Sequence, residues 1–130
     1  MDEFDKLSME INQEQQALED LEETFYKDKK AIDERYEQVK MHRMDVQLKT
    51  EVQQEELVSL SRQADLPVSE AYPHTSSLLE QIVVDNEELA RLDRHLLDER
   101  LDKLEKTYSN AHRKQEDKLE AALAKLRLLD

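Results

Sequence analysis

Four histidines are the side chains best suited to metal or acid–base chemistry, and their spacing supports neither. They are His42, His74, His95 and His112. No two of them stand four residues apart, the spacing that places two imidazoles on one helix face for zinc. None follows a glutamate by three residues, as in di-iron helical bundles. The chain also has no cysteine, which excludes thiolate ligands and disulfides, so the sequence predicts no metal site.

The carboxylates and hydroxyls do not suggest a catalytic site either. One run contains no basic residue and consists of Glu10, Glu14, Glu19, Asp20, Glu22 and Glu23. Catalytic carboxylate pairs need a shielded pocket that separates their pKa values, so we interpret this run as a solvated acidic face, with binding of cations or of a basic partner as the alternatives. The absence of glycine excludes phosphate-binding loops. We therefore expect no enzyme activity, no cofactor and no small-molecule substrate.

The overall composition is typical of long helices. The chain of 130 residues is 39% charged, and it contains no glycine and two prolines, so it has few places at which to turn sharply. Its net charge of −13 disfavours binding to nucleic acid. Apolar runs are short, so we expect no membrane insertion. The N-terminus lacks a signal-peptide pattern, which predicts a cytoplasmic protein, with co-export alongside a client as an alternative.

A seven-residue apolar repeat in the N-terminal half predicts the helix that would carry any binding surface there. Its members are Phe4, Ile11, Leu18, Phe25, Ile32, Val39 and Val46. A strict heptad repeat indicates a left-handed coiled coil. The companion positions are half polar: Leu7 and Leu21 alternate with Glu14, Asp28, Arg35 and His42. This imperfect row suggests either a weak core or one that a further helix completes.

Two prolines interrupt the helical pattern once. Pro67 and Pro73 lack an amide donor and disfavour helical geometry in the residues before them. Ser77 and Glu80 fit a capping box that would begin a second helix. We predict a helix over 2–64, a turn over 65–76 and a helix over 77–129. Because the two helices are similar in length, the predicted fold class is all-α, a single domain of residues 1–130 formed by two long helices in an antiparallel coiled-coil hairpin.

The second helix carries an apolar row that changes phase twice. The row reads Ile82, Leu89, Leu92, Leu96; then Leu97, Leu101, Leu104, Tyr108, Ala111; then Leu119, Ala122, Leu126, Leu129. We expect this row to be the seam that faces the first helix. Folding about residue 70 would place Ile32 near Tyr108, and Phe25 near Gln115.

A two-helix core is thin, and apolar residues in excess of one stripe at either end of the hairpin are candidates for binding a partner. The candidate residues are Phe4, Leu7, Ile11, Leu18, Phe25, Leu79, Val83, Val84, Leu123, Leu126 and Leu129. At the turn, the alternative is a loop that packs over the tip with Tyr72 as a plug. At the open end, the alternative is fraying with self-association.

An acidic, glycine-free helical hairpin resembles two groups of bacterial secretion accessories. One is the set of small helical partners of LXG toxins exported by the type VII system. The other is the flagellar and type III export stalk family, a two-helix coiled coil. The chain has neither Trp-x-Gly nor Phe-x-x-x-Asp, since Phe4 is followed at that spacing by Ser8 and Phe25 by Lys29. The first resemblance therefore implies a targeting or chaperoning partner that does not itself carry an export signal.

The sequence leads to two hypotheses about function. In the first, the chain is a non-enzymatic adaptor or chaperone that binds a helical client protein, such as a toxin targeted for export. In the second, it is a structural coiled-coil spacer or export stalk that acts as a homo-oligomer.

Overall fold

Two long helices make up almost all of the protein. A computed structural model describes residues 2–129, so Met1 and Asp130, which the predicted domain 1–130 includes, lie outside the described residues. Helix α1 is Glu3–Ala64, helix α2 is Val68–Ala71 and helix α3 is Pro73–Leu129. Helices α1 and α3 run in opposite directions and pack against each other, which confirms the all-α hairpin with a proline-containing turn.

Helix α1 ends in a capping motif that normally uses glycine. Asp65 takes a left-handed conformation with φ of 54°. The Leu66 amide donates to the Ser61 carbonyl oxygen at 3.1 Å, and the Asp65 amide donates to the Arg62 carbonyl oxygen at 3.2 Å. This is the Schellman pattern, which satisfies carbonyl groups left without partners at a helix end. The chain has no glycine, and aspartate is one of the few other residues that tolerates this backbone geometry.

Helix α3 begins at Pro73 rather than at the predicted position 77. Proline is favoured at the first position of a helix because its missing amide would have no partner there. The Ser76 amide donates to the Tyr72 carbonyl oxygen at 2.9 Å, so the first turn forms ahead of the expected capping box. Ser77 and Glu80 consequently lie inside the helix. Tyr72 is half-buried where α2 meets α3.

The chain divides into two compact units, each with a stretch of both long helices. Unit 1 is Met1–Asp33 with Glu99–Asp130, and unit 2 is Glu34–Asp98. In unit 1 the buried apolar residues are Leu7, Ile11, Ile32 and Ala122. In unit 2 they are Val39, Leu57, Leu79, Ala90 and Leu97, with the polar residues Thr50 and Ser61 buried among them. Within residues 2–129, no helix has an apolar stretch long enough to span a bilayer.

Candidate interaction surfaces

An aromatic cluster fixes the pairing of the two helices in unit 1. The rings of Phe25 and Tyr108 stack with centroids 4.1 Å apart and an angle of 18° between their planes. His112 lies 5.2 Å from the Tyr108 ring. Its Nε2 is 3.3 Å from a Glu22 carboxylate oxygen, and its Nδ1 is 3.2 Å from one of Glu116. Burial raises the pKa of the Tyr108 phenol, and the charges of the two glutamates raise it further.

A buried amide provides a further polar contact between the helices of unit 1. The Gln115 side chain donates to the Glu14 carbonyl oxygen at 3.0 Å and also to the Glu14 carboxylate. Gln115 is buried, and a buried amide without such partners would be destabilising. The half-polar companion row noted in the sequence is therefore satisfied at Glu14 by the opposite helix.

These contacts show that the predicted register is wrong, by seven residues at Tyr108 and by eleven at Gln115. Tyr108 meets Phe25 rather than Ile32, and Gln115 meets Glu14 rather than Phe25. A slip of seven residues keeps every seam residue on the seam, so apolar periodicity alone cannot distinguish such registers. Ring stacking and the Gln115 hydrogen bonds distinguish them.

In unit 2, polar contacts fix the rotation of α3 about its axis. The Asn86 side chain donates to the Arg43 carbonyl oxygen at 3.1 Å, and the Arg43 guanidinium pairs with Glu87 at 2.9 Å. The Tyr36 hydroxyl donates to Asp98 at 2.5 Å. The companion row on α1 therefore passes through Tyr36, Arg43 and Thr50, and the predicted positions Arg35 and His42 are exposed.

The same rotation overturns the first part of the predicted α3 seam. The side chains that face α1 are Leu79, Asn86, Ala90 and Leu97, and all are buried or half-buried. Leu97 is 4% exposed, whereas its neighbour Leu96 is 56% exposed. The predicted seam residues Ile82, Leu89, Leu92 and Leu96 are instead exposed, because the small Ala90 and the hydrogen-bonded Asn86 occupy the centre of the interface.

Unit 2 thus exposes an apolar row on each long helix. The row on α3, called the α3 stripe below, consists of Leu78, Ile82, Leu89, Leu92 and Leu96, and its exposed fractions run from 37% at Ile82 to 62% at Leu89. The row on α1, called the α1 stripe, consists of Met41, Met44, Leu48 and Val52, and its exposed fractions run from 47% at Met44 to 64% at Met41. Exposed apolar rows on helices commonly mark sites of protein–protein contact.

The residues predicted to bind a partner are divided between the interior and the surface. Leu7, Ile11 and Leu79 are buried within the hairpin. Leu18, Phe25, Leu123 and Leu126 are half-buried. Phe4, Val83, Val84 and Leu129 are exposed. The sequence prediction assigned most of the α3 stripe to the seam and did not include the α1 stripe, although the spacing of three and four residues between Met41, Met44 and Leu48 is a signal that could have found it.

The charged groups beside the stripes form local ion pairs. The Arg91 guanidinium contacts the Glu88 carboxylate at 2.7 and 3.1 Å. This hydrogen bonding, together with the charge of Arg91, lowers the pKa of Glu88. Among residues 2–129, no cluster of three or more histidine or acidic side chains is arranged to hold a metal ion.

Comparison with known protein families, with curated proteins and with solved structures found no significant match to this chain.

Proposed function

We propose that the chain is a non-enzymatic helical adaptor or chaperone that binds an amphipathic helix of a client protein. The observation that carries the proposal is the pair of apolar stripes that unit 2 leaves uncovered after α1 and α3 have packed together. A helical client could place its own apolar residues on such a stripe, as in known helix-in-groove recognition. The resemblance noted above makes a toxin targeted for export one class of client.

The α1 stripe is the better candidate for the client surface. Its two methionines are flexible and polarisable, and methionine-bearing surfaces adapt to different helical partners. The stripe lies about 180° around α1 from the residues that face α3, at about 100° of rotation for each residue. A client helix therefore reaches it without disturbing the contacts that hold unit 2 together.

The size of the α1 stripe favours reversible binding. Burying the exposed half of one such side chain contributes about 1 kcal/mol, so the four residues contribute about 4 kcal/mol. Association itself costs at least about 4 kcal/mol in lost motion. The stripe alone thus gives weak affinity, and a tightly held client must make further contacts. Weak docking suits a chaperone that has to release what it binds.

The experiment compares two double variants with the wild type in a pull-down followed by mass spectrometry. Met44→Glu with Leu48→Glu places charges on the α1 stripe, while Phe4→Glu with Met9→Glu places them at the open end of the hairpin. All four side chains are exposed, so each variant should keep its helix content. We expect a client whose helix binds the wild type to be lost only from the first variant.

Two results would contradict this assignment. If only the second variant loses the client, docking occurs at the open end. If both variants keep every protein that the wild type captures, the adaptor proposal fails. A client that binds should also raise the melting temperature of the purified chain by mass action.

The second candidate function is a structural spacer or stalk that acts by self-association. The α3 stripe favours this function because its spacing allows it to pack against a copy of itself. If the chain is a spacer without a client, charged substitutions on the α1 stripe should leave the set of captured proteins unchanged. The pull-down therefore also separates the two candidates.

A further inference from the structure

The α3 stripe has the spacing of a coiled-coil seam, and it ends at a polar residue in each direction. Steps of four and three residues lead from Leu78 to Leu96, and the one polar position among them is Asp85. The next positions at the same spacing are Thr75 on one side and Glu99 on the other, and both are exposed. The apolar part spans roughly 27 Å of helix at 1.5 Å per residue.

The α3 stripe lies on the face of α3 where a second neighbouring helix packs in a four-helix bundle. At about 100° per residue, its centre lies about 90° around α3 from the centre of the row that faces α1. A helix with two apolar rows at about a right angle has one neighbour on each row, as in four-helix bundles. Helix α1 is the first neighbour, and unit 2 provides no second one.

We propose that the second neighbour is α3 of another copy of this chain, packed antiparallel about a two-fold axis at the level of Glu87. In this register Leu78 of one copy meets Leu96 of the other, and Ile82 meets Leu92. Asp85 meets Leu89. In each pair an a position of one helix faces a d position of the other, as in antiparallel coiled coils. The surface is therefore complementary to itself, as a two-fold interface requires.

The charges decide against parallel pairing of the two copies. A parallel pair would place Asp85 directly opposite Asp85 of the second copy, and facing like charges are destabilising. The antiparallel pair instead places each of these carboxylates opposite Leu89 of the other copy, which avoids the like-charge contact. It does bring the two Glu88 side chains together near the axis, but each is already neutralised by its own Arg91 at 2.7 Å.

The two-fold axis also places α1 of one copy beside α1 of the other. The residues on that flank of α1 are exposed and polar, and they include Gln38, His42, Lys49 and Gln53. The apolar interface is therefore confined to the two α3 helices. The α1 stripe stays on the outside of this dimer, so the inference is independent of the proposed client site and holds whether or not a client binds there.

Disulfide crosslinking tests the register directly because the natural chain contains no cysteine. Leu78→Cys and Leu96→Cys are prepared as separate variants, and each is oxidised alone and in an equal mixture. We expect the mixture to give covalent dimers, and neither variant alone to do so, because identical positions lie roughly 27 Å apart in the antiparallel pair. A covalent dimer of either variant alone, or no dimer in the mixture, would overturn the proposal.

Sedimentation of two further variants tests whether the α3 stripe provides the affinity. Leu89→Asp should weaken dimerisation at least about tenfold, and Asp85→Leu, which completes the stripe, should strengthen it by about tenfold. Both positions are exposed within the hairpin, so helix content should not change. Leu48→Asp on the α1 stripe is the matched control and should leave dimerisation unchanged.

The outcomes separate this inference from the proposed function. A wild-type chain that stays monomeric, or an association constant that is equal in all of these variants, rejects the α3 dimer. The client proposal would survive that result if a client is lost only from the variant with charges on the α1 stripe. Conversely, the α3 dimer could form in a chain that captures no client.

Discussion

The two units of the hairpin both bury aliphatic side chains between α1 and α3, but they differ in how much apolar surface they leave exposed. Unit 1 places its large side chains between the helices, with the stacked rings of Phe25 and Tyr108 and the nearly inaccessible Ala122, which is 1% exposed. Unit 2 also buries Val39, Leu57, Leu79 and Leu97, but the small Ala90 and the polar Thr50 share its interface. Most of its leucines and methionines are left on the outside.

This difference supports the proposal that unit 2 carries the partner-binding surface. In unit 1 most of the apolar surface stabilises the hairpin itself. The exposed large apolar side chains are Tyr26 and, near the chain ends, Phe4, Met9, Leu128 and Leu129. In unit 2 hydrogen bonds from Asn86 and Tyr36 set the helix rotation, and rows of apolar side chains are left exposed. A hairpin whose only task was to fold would gain stability by turning those leucines inward.

The largest expected effect is the difference in unfolding free energy between alanine variants of two adjacent leucines in unit 2. Leu97→Ala should lower the free energy of unfolding by about 3 kcal/mol, because it removes a buried side chain and leaves a cavity. Leu96→Ala should change it by less than about 0.5 kcal/mol, because that side chain is exposed. Urea unfolding at dilute protein, followed by circular dichroism, measures both. Equal losses in the two variants would mean that α3 is rotated differently from the arrangement described.

The seam of α1 could be predicted from the sequence, but the seam of α3 only in part. On α1 the heptad row through Ile11, Ile32 and Val39 is buried. On α3 two rows of leucines compete, and hydrophobicity favours the longer one, which includes Leu89 and Leu92. The Asn86 hydrogen bond and the small Ala90 determine which row packs against α1. An apolar repeat in the sequence reveals neither feature.

The candidate binding surface was harder to predict for the same reason. Once Leu89 and Leu96 are assigned to the interior, no sequence argument leaves them available for a partner. The register had a related difficulty, since pairings that differ by seven residues look alike in a heptad repeat. The aromatic contact between Phe25 and Tyr108 is specific to one register, and it was recognisable only once both helices had been placed.

A second variant tests whether unit 1 depends on its aromatic stack. Phe25→Ala should lower the free energy of unfolding by about 2 kcal/mol, less than for a fully buried phenylalanine because the ring is only half-buried. Tyr26→Ala is the control, since the Tyr26 side chain is 66% exposed, and it should cost less than about 0.5 kcal/mol. Denaturant unfolding measures both variants. If Tyr26→Ala were the more damaging, the helix pairing in unit 1 would have to be reassigned.

The smallest expected effect is a loss of stability of unit 1 at alkaline pH. Burial, with the nearby charges of Glu22 and Glu116, raises the pKa of Tyr108 above its ordinary value of 10.0. The unfolded chain therefore loses this proton more readily than the folded chain does. The resulting contribution to stability is fully present below the ordinary pKa, and it is lost as the pH rises through the folded value.

Tyr108→Phe isolates this contribution from the other groups that titrate at high pH. The variant keeps a ring that can stack on Phe25 but has no phenol to ionise. Between pH 9 and 11, roughly one unit either side of an ordinary tyrosine pKa, the wild type should lose more stability than Tyr108→Phe. The reference variant Tyr26→Phe removes an exposed phenol instead, and it should follow the wild type. Parallel pH curves for wild type and Tyr108→Phe would show that the Tyr108 hydroxyl is as well hydrated in the hairpin as in the unfolded chain. The stack in unit 1 would then hold the helices together through its rings alone.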